Sequence, residues 1–359
     1  MSKPLFIHIG YHKTATTWFQ NQVFNNHPQL EYLGKAYPDH PSFRMSELKE
    51  HIISAPDTVF SVSDTQDLLS SILDDHPLNG STLYGMSYEG LSAGDNWFGG
   101  RNFYVADRLK SVFEDFDVKI LVGIREQTSM VESMYSEYVK LGGSESLERL
   151  LFSPFSEADD LLEKLKYAPV IDHYKDRFGA NNVKVYLFER FKQDKQKVLE
   201  DICDFLGITV PDLQDETTSK KSNPRLSRFG LGSMRLANHF FFGPLNNLSP
   251  VTIGSHYLAK LLRSIGYKKD VIEENSKRDY EAAHRFEQDK RLQNKLRHHV
   301  NEAIKTLDKS LFQGRGEFRY ELEDELESYL KDYYEEANSK LNDTVSTDLN
   351  TYGYPTSGC

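Results

Sequence analysis

The run "VKILVGI", residues 118–124, is apolar at nearly every position. A strand with one wet face alternates apolar and polar side chains. A near-continuous apolar run needs cover on both faces, as inside a parallel sheet. "PLFIHIG" (Pro4–Gly10), "STLYGMS" (Ser81–Ser87) and "VKVYLFE" (Val183–Glu189) are further strand candidates. Segments with helical spacing lie between them: Thr14–Phe24, Ser63–Asp75, Arg101–Phe116, Glu126–Leu141 and Asp194–Ile208. Strands alternating with helices predict an α/β protein with a parallel, doubly wound sheet.

Local signals sharpen the boundaries. Gly179 and Gly207 suit helix C-caps, and Val131, Met134, Tyr135 and Tyr138 form one helical stripe. Residues 26–57 read as loop-rich with one short helix. From about Asp212 the pattern changes. A polar loop carries Lys220, Lys221, Asn223, Arg225 and Arg228, residues 226–310 read as helices, and Tyr320–Leu341 is a long acidic helix. The expected organisation is one domain over 1–341, with a core at 1–210 and a mainly helical C-terminal portion at 211–341. Residues 342–359 are polar and unpatterned, and are expected to be a disordered tail.

Composition narrows the function. Asp and Glu outnumber Lys and Arg, 54 to 43, for a formal charge of -11. A general nucleic-acid binder, whose affinity rests on neutralising phosphates, is not expected. A small basic pocket for one anion remains compatible. The two cysteines, Cys203 and Cys359, make no disulfide framework. No run reaches the ~18 apolar residues of a membrane span, and the N-terminus lacks a secretory pattern. The expectation is a cytoplasmic protein.

The chemistry concentrates in "LFIHIGYHKTATTWFQNQVF", Leu5–Phe24. A strand ends, Gly10 lets the chain turn, and a helix is expected from about Thr14. The first amides of a helix have no internal acceptors and face a partly positive end, which suits an anion. Lys13 adds a charge, and Thr16 and Thr17 add hydroxyls. An ATP or GTP loop would read G-x-x-x-x-G-K-[ST]. Here the second glycine is missing, and no acidic strand end offers a magnesium ligand. The bland alternative is a lysine and threonines on an ordinary surface helix.

A second cluster follows the 118–124 run. Arg125 stands at a strand end, where open parallel sheets bind ligands. Ser133 lies eight residues on. Taken alone, Arg125 would be read as a surface ion pair with Glu126 or Glu132. A third candidate is Glu89 in "YGMSYEGLSAGDNWFGG" (Tyr84–Gly100), a carboxylate just past a strand end and placed to act as a base. The alternative is an ordinary helix-capping glutamate. His12 is a rival base, and His8 reads as a packed core histidine. The histidines and cysteines lack metal-ligand spacing, so no metal is expected.

"HKTATTW" (His12–Trp18) resembles the 5′-phosphosulfate loop of sulfotransferases that use 3′-phosphoadenosine 5′-phosphosulfate (PAPS). Ala15 departs from the glycine common there, a change that a helical start would tolerate. Arg125 with Ser133 resembles the family's 3′-phosphate element. "VKVYLFERFKQDKQKVLEDICDFLGI" (Val183–Ile208) resembles its strand-acid-helix segment. The likeness spans roughly residues 4–208.

The resemblance implies a P-loop-like sheet flanked by helices. Lys13, Thr14, Ala15, Thr16 and Thr17 would hold the 5′-phosphate end, with Lys13 also catalytic. Trp18 would lie against adenine, Arg125 and Ser133 on the 3′-phosphate, and Glu89 near the acceptor. Long segments between the motifs resemble the bacterial and carbohydrate-acting members, which implies a saccharide or polysaccharide acceptor. Apart from the resemblance, the basic loop Lys220–Arg228 could close over the 3′-phosphate or meet an anionic acceptor, "FQGRGEF" with Arg315 is another candidate clamp, and the alternative for each is a solvated surface loop. The alternatives are a P-loop kinase or NTPase, and an inactive nucleotide- or glycan-binding module.

Overall fold

The computed structural model describes residues 2–34, 43–93, 103–152, 161–212, 226–240, 297–312, 321–345 and 347–357. Five parallel strands form one sheet in the order β2-β3-β1-β4-β5. They are β1 (Lys3–His8), β2 (Leu30–Tyr32), β3 (Leu83–Ser87), β4 (Phe116–Ile124) and β5 (Val183–Leu187). β1 runs between β3 and β4, with Ile7 opposite Met86 on one side and Ile120 on the other. The expected α/β sheet is therefore present. β2 was not expected: at three residues it is too short for any periodicity to show.

Strand alternation divides the apolar residues between two faces. One face carries Phe6, Leu83, Leu121 and Tyr186, packed with Phe19, Phe24, Leu199 and Ile202 from the helices Thr16–Gln22 and Lys195–Leu206 and the turn between Gln22 and His27. Rings dominate there: Phe6 and Phe24 centroids are 4.9 Å apart, Phe19 and Tyr186 5.1 Å. The helix Ala168–Phe178 packs on β4 and β5 and also touches the helices Phe103–Val112 and Asp324–Thr344. Gly179 and Gly207 end their helices at φ 90° and 76°, conformations that favour glycine.

The chain divides into two compact units. The first holds residues 1–130, 150–218 and 324–359, hence the whole sheet. The second holds 131–149 and 219–323. Within the second, Ser227 caps the helix Arg228–Asn238 by accepting the Gly230 N–H at 3.0 Å. Ser227 itself donates backbone N–H and hydroxyl to Asp308. Asn238 donates to the carbonyls of Val139 and Gly143 at 2.7 and 2.9 Å. Lys220, Lys221, Asn223, Arg225, Arg315, Trp97 and Cys359 lie outside the described residues. Arg228 is described and exposed.

The segment expected to be a disordered tail is ordered over most of its length. Leu349 and Tyr354 are buried, and Tyr354 donates its hydroxyl to Glu189 at 3.1 Å. Two anchors in a polar stretch make no periodic pattern, so sequence reading had nothing to find. Tyr354→Ala should lower the free energy of unfolding by about 3 kcal/mol or more, the usual loss for a large buried ring. Urea titration measures this; an unchanged midpoint would mean that the segment does not dock.

Candidate functional site

Parallel pairing gathers the carboxyl ends of β1, β3, β4 and β5 on one edge. The ladders continue past the strands: Ile9 N–H donates to Leu121 O, Tyr11 N–H to Gly123 O, and Tyr88 N–H to His8 O, at 2.9–3.0 Å. The loop after β1, Glu89 after β3 and Arg125 after β4 therefore share that edge, where open parallel sheets bind ligands.

The loop is not the plain helix start that the sequence suggests. The helix begins at Thr16, not Thr14. Lys13 and Ala15 both have positive φ, 64° and 70°, while Thr14 does not. A backbone in which φ changes sign between neighbours can turn successive N–H groups into one concavity, an anion nest. Ala15 is thus in the left-handed region that favours glycine, and the helical-start reason for tolerating alanine there is corrected. Such a conformation costs a residue with a Cβ roughly 1–2 kcal/mol.

Thr14 is the buried pivot of the loop, at 0% exposure. Its hydroxyl donates to Tyr11 O at 2.6 Å and lies 3.3 Å from Thr16 Oγ1. Its carbonyl accepts the Tyr186 hydroxyl at 3.0 Å. Close approach explains two glycines. A Cβ at Gly10 would stand 2.8 Å from His8 Nε2, and one at Gly123 2.4 Å from the Tyr186 oxygen.

Arg125 is 3% exposed, so a surface ion pair does not describe it. Glu126 is occupied otherwise: its carboxylate accepts the N–H groups of Thr128 and Ser129 at 2.8 Å each and caps the helix Gln127–Lys140. Arg125 Nε donates to Ser129 Oγ at 2.9 Å, and an Nη1 reaches Lys13 O at 3.5 Å. The guanidinium lies 4.8 Å from the Phe188 ring centre, a cation–π distance. Tyr167 holds the Arg125 carbonyl at 2.6 Å. Burial pushes the neighbouring Glu189 carboxyl above its ordinary pKa, although the Arg125 charge pulls the other way.

Ser129, one turn past Arg125, is the serine joined to it within the first unit. The expected Ser133 is half-buried on the same helix and belongs to the second unit. Thr16 is buried, Thr17 exposed, and Lys13, His12 and Trp18 are half-buried. Trp18 packs against Phe191 with centroids 5.0 Å apart, and Lys195 Nζ lies 5.0 Å from the Trp18 ring centre.

Glu89 is 7% exposed and directly precedes the short helix Gly90–Ala93. Its carbonyl accepts the Ser92 hydroxyl at 2.8 Å. Its carboxylate lies close enough to help raise the Tyr186 pKa, an effect led by burial of the phenol. His8 is fully buried and bonded to Ser87 and Tyr186. Sequence reading missed Tyr186, Ser87, Gln20, Ser129, Phe188 and Lys195. For the first two and Gln20 a signal existed, since a polar side chain inside an apolar strand or helix face must find a partner.

No protein-family model matches the chain, and no curated protein matches it. Similar solved structures are sulfotransferases. One, from Alicyclobacillus acidocaldarius, is 20% identical with a TM-score of 0.44, covering 62% of this chain and 88% of that one. The sulfotransferase domain from the curacin biosynthetic pathway is 14% identical with a TM-score of 0.36, covering 79% and 98%. Mouse sulfotransferase SULT7A1 complexed with PAP is 17% identical with a TM-score of 0.30, covering 58% and 60%. At these values residue roles rest on this chain's own geometry.

Ala15→Gly should stabilise the protein by about 0.5–1 kcal/mol. Relief of the left-handed strain exceeds the extra freedom that glycine has in the unfolded chain. Chemical denaturation checks this, and a destabilised variant would contradict the loop geometry.

Proposed function

We propose that the protein is a PAPS-dependent sulfotransferase, moving a sulfuryl group to an acceptor hydroxyl or amine and releasing adenosine 3′,5′-bisphosphate. The observation that supports this most is the nest of residues 13–16, backed by the buried Arg125 guanidinium, at the carboxyl edge of a parallel sheet. The donors present fit two phosphates: the loop amides, the Lys13 ammonium and two threonine hydroxyls for one, and the planar Arg125 guanidinium fork for the other. PAPS, when bound, supplies the activated sulfuryl group.

The chain's residues then divide the work. Lys13, the amides of Thr14 and Ala15, and the hydroxyls of Thr16 and Thr17 bind the 5′-phosphate. They also stabilise the charge that gathers there as the bond from sulfur to the bridging oxygen breaks. Trp18 lies against the adenine, and Arg125 binds the 3′-phosphate. Ser133 joins Arg125 in this proposal on the sequence resemblance alone. Glu89 takes the acceptor proton as the acceptor atom bonds to sulfur.

The proposed acceptor is a saccharide or polysaccharide precursor, supported by the long segments between motifs. The proposed compartment is the cytoplasm. Among the described residues, no helix is long and apolar enough to cross a membrane.

Adenosine 3′,5′-bisphosphate should raise the melting temperature without magnesium, because a ligand that binds only the folded state stabilises it by mass action. Stabilisation by ATP with magnesium, and none by the bisphosphate, would favour a kinase or NTPase. Binding of PAPS with no transfer to any acceptor in a labelled-sulfate screen would favour a binding module.

Glu89→Gln keeps the shape of the side chain and removes the base. It should bind the bisphosphate normally and transfer sulfate about a hundred- to ten-thousand-fold more slowly. If turnover survives with the true acceptor, the base lies elsewhere and His12 is the next variant to measure.

A further inference from the structure

Five buried polar groups form a chain beneath the anion loop. Gln20 Nε2 donates to Ser87 Oγ at 2.8 Å. Ser87 and His8 Nδ1 are 2.9 Å apart, His8 Nε2 and the Tyr186 oxygen 3.0 Å, and Tyr186 donates to Thr14 O at 3.0 Å. The two ends have fixed roles, since an amide nitrogen only donates and a carbonyl only accepts. The Tyr186 proton is spent on Thr14, so its oxygen must accept from His8 Nε2–H. Neutral His8 then offers Nδ1 as the acceptor for the Ser87 hydroxyl. One polarity satisfies every link, and all five residues are buried.

We propose that Tyr186, oriented by this relay, is the positioning residue that aims the Ala15 amide at the bound anion. The peptide between Thr14 and Ala15 is planar and trans, so its C=O and N–H point in opposite directions. Holding the Thr14 carbonyl inward turns the Ala15 N–H outward, into the nest. Arg125, reaching the Lys13 carbonyl, acts in the same way on the Thr14 N–H. Without the tyrosine hydroxyl the peptide can rotate, and the left-handed Ala15 loses a restraint against its strain. The glycines at 10 and 123 serve the same relay, since a side chain at either would strike His8 or Tyr186.

The identity of the ligand here rests on the sulfotransferase reading. The test is calorimetric binding of two ligands, adenosine 3′,5′-bisphosphate and adenosine 3′-monophosphate, to the wild-type protein and to Tyr186→Phe. The expected result is about tenfold weaker binding of the bisphosphate, the scale of one aimed hydrogen bond to a charged group. The monophosphate, which has nothing for the nest to hold, should be unchanged. Unchanged bisphosphate binding, or an equal loss for both ligands, overturns the proposal.

If Tyr186→Phe does not fold, Ser87→Ala cuts the relay at its far end and should give the same selectivity with a smaller loss, about threefold. An equal effect on both ligands again overturns the assignment. If the wild-type protein binds neither ligand, the sulfotransferase reading falls. The relay is then judged on the free protein by the amide order parameters of residues 13–16. Lower values in the variant support it, and identical values refute it.

Discussion

All-parallel pairing around β1 is the constraint on which the site depends. Parallel strands begin on one edge of a sheet and end on the other, so the reversals after β1, β3, β4 and β5 must gather together. Had β3 or β4 run antiparallel to β1, Glu89 or Arg125 would lie at the far edge from the Lys13 loop. Register refines the placement. His8 stands opposite both Ser87 and Leu121, and the Tyr11 N–H to Gly123 O bond carries the ladder into the loop. Side chains distant in sequence are thereby fixed within one strand spacing of one another.

The loop is strained at the proposed anion site. Two residues with a Cβ in left-handed conformation cost a few kcal/mol together, and they persist because neighbouring groups leave no alternative. Tyr186 and Arg125 hold the carbonyls of Thr14 and Lys13, and the Thr14 hydroxyl ties the loop back to Tyr11. The buried polar chain below it is satisfied along its length, so it adds rigidity instead of the penalty that an unpaired buried group carries. A concavity shaped before the ligand arrives loses less freedom on binding.

Electrostatics follows the same local logic. The chain carries -11 overall, yet the carboxyl edge presents Lys13 and Arg125. Glu126, the acid next to Arg125 in sequence, is turned to the amides of Thr128 and Ser129. Burial holds the Glu189 carboxyl above its ordinary pKa. Arg125 is packed against Phe188 and buried, where a charge is screened less than at an open surface.

The long elements were legible because their patterns need no partner to be recognised. The apolar run at 118–124 had to be a doubly covered strand, and Gly179 and Gly207 had to end helices. Gly10 before Lys13 and the threonines marked the candidate anion loop, and Arg125 was marked as a candidate by its place after an apolar strand. What sequence could not show was set by contacts between distant segments. The three-residue β2 exists only as a neighbour of β3. The docking of Tyr354 depends on Glu189, far away in the chain. Ala15 reads as an ordinary helix former, and contacts from distant segments, the Tyr186 hydroxyl on the preceding carbonyl among them, accompany its left-handed turn. Local sequence determines what a segment prefers by periodicity and steric allowance. Tertiary structure decides where that preference is overridden, because only there do buried hydrogen bonds outweigh the strain of a single residue.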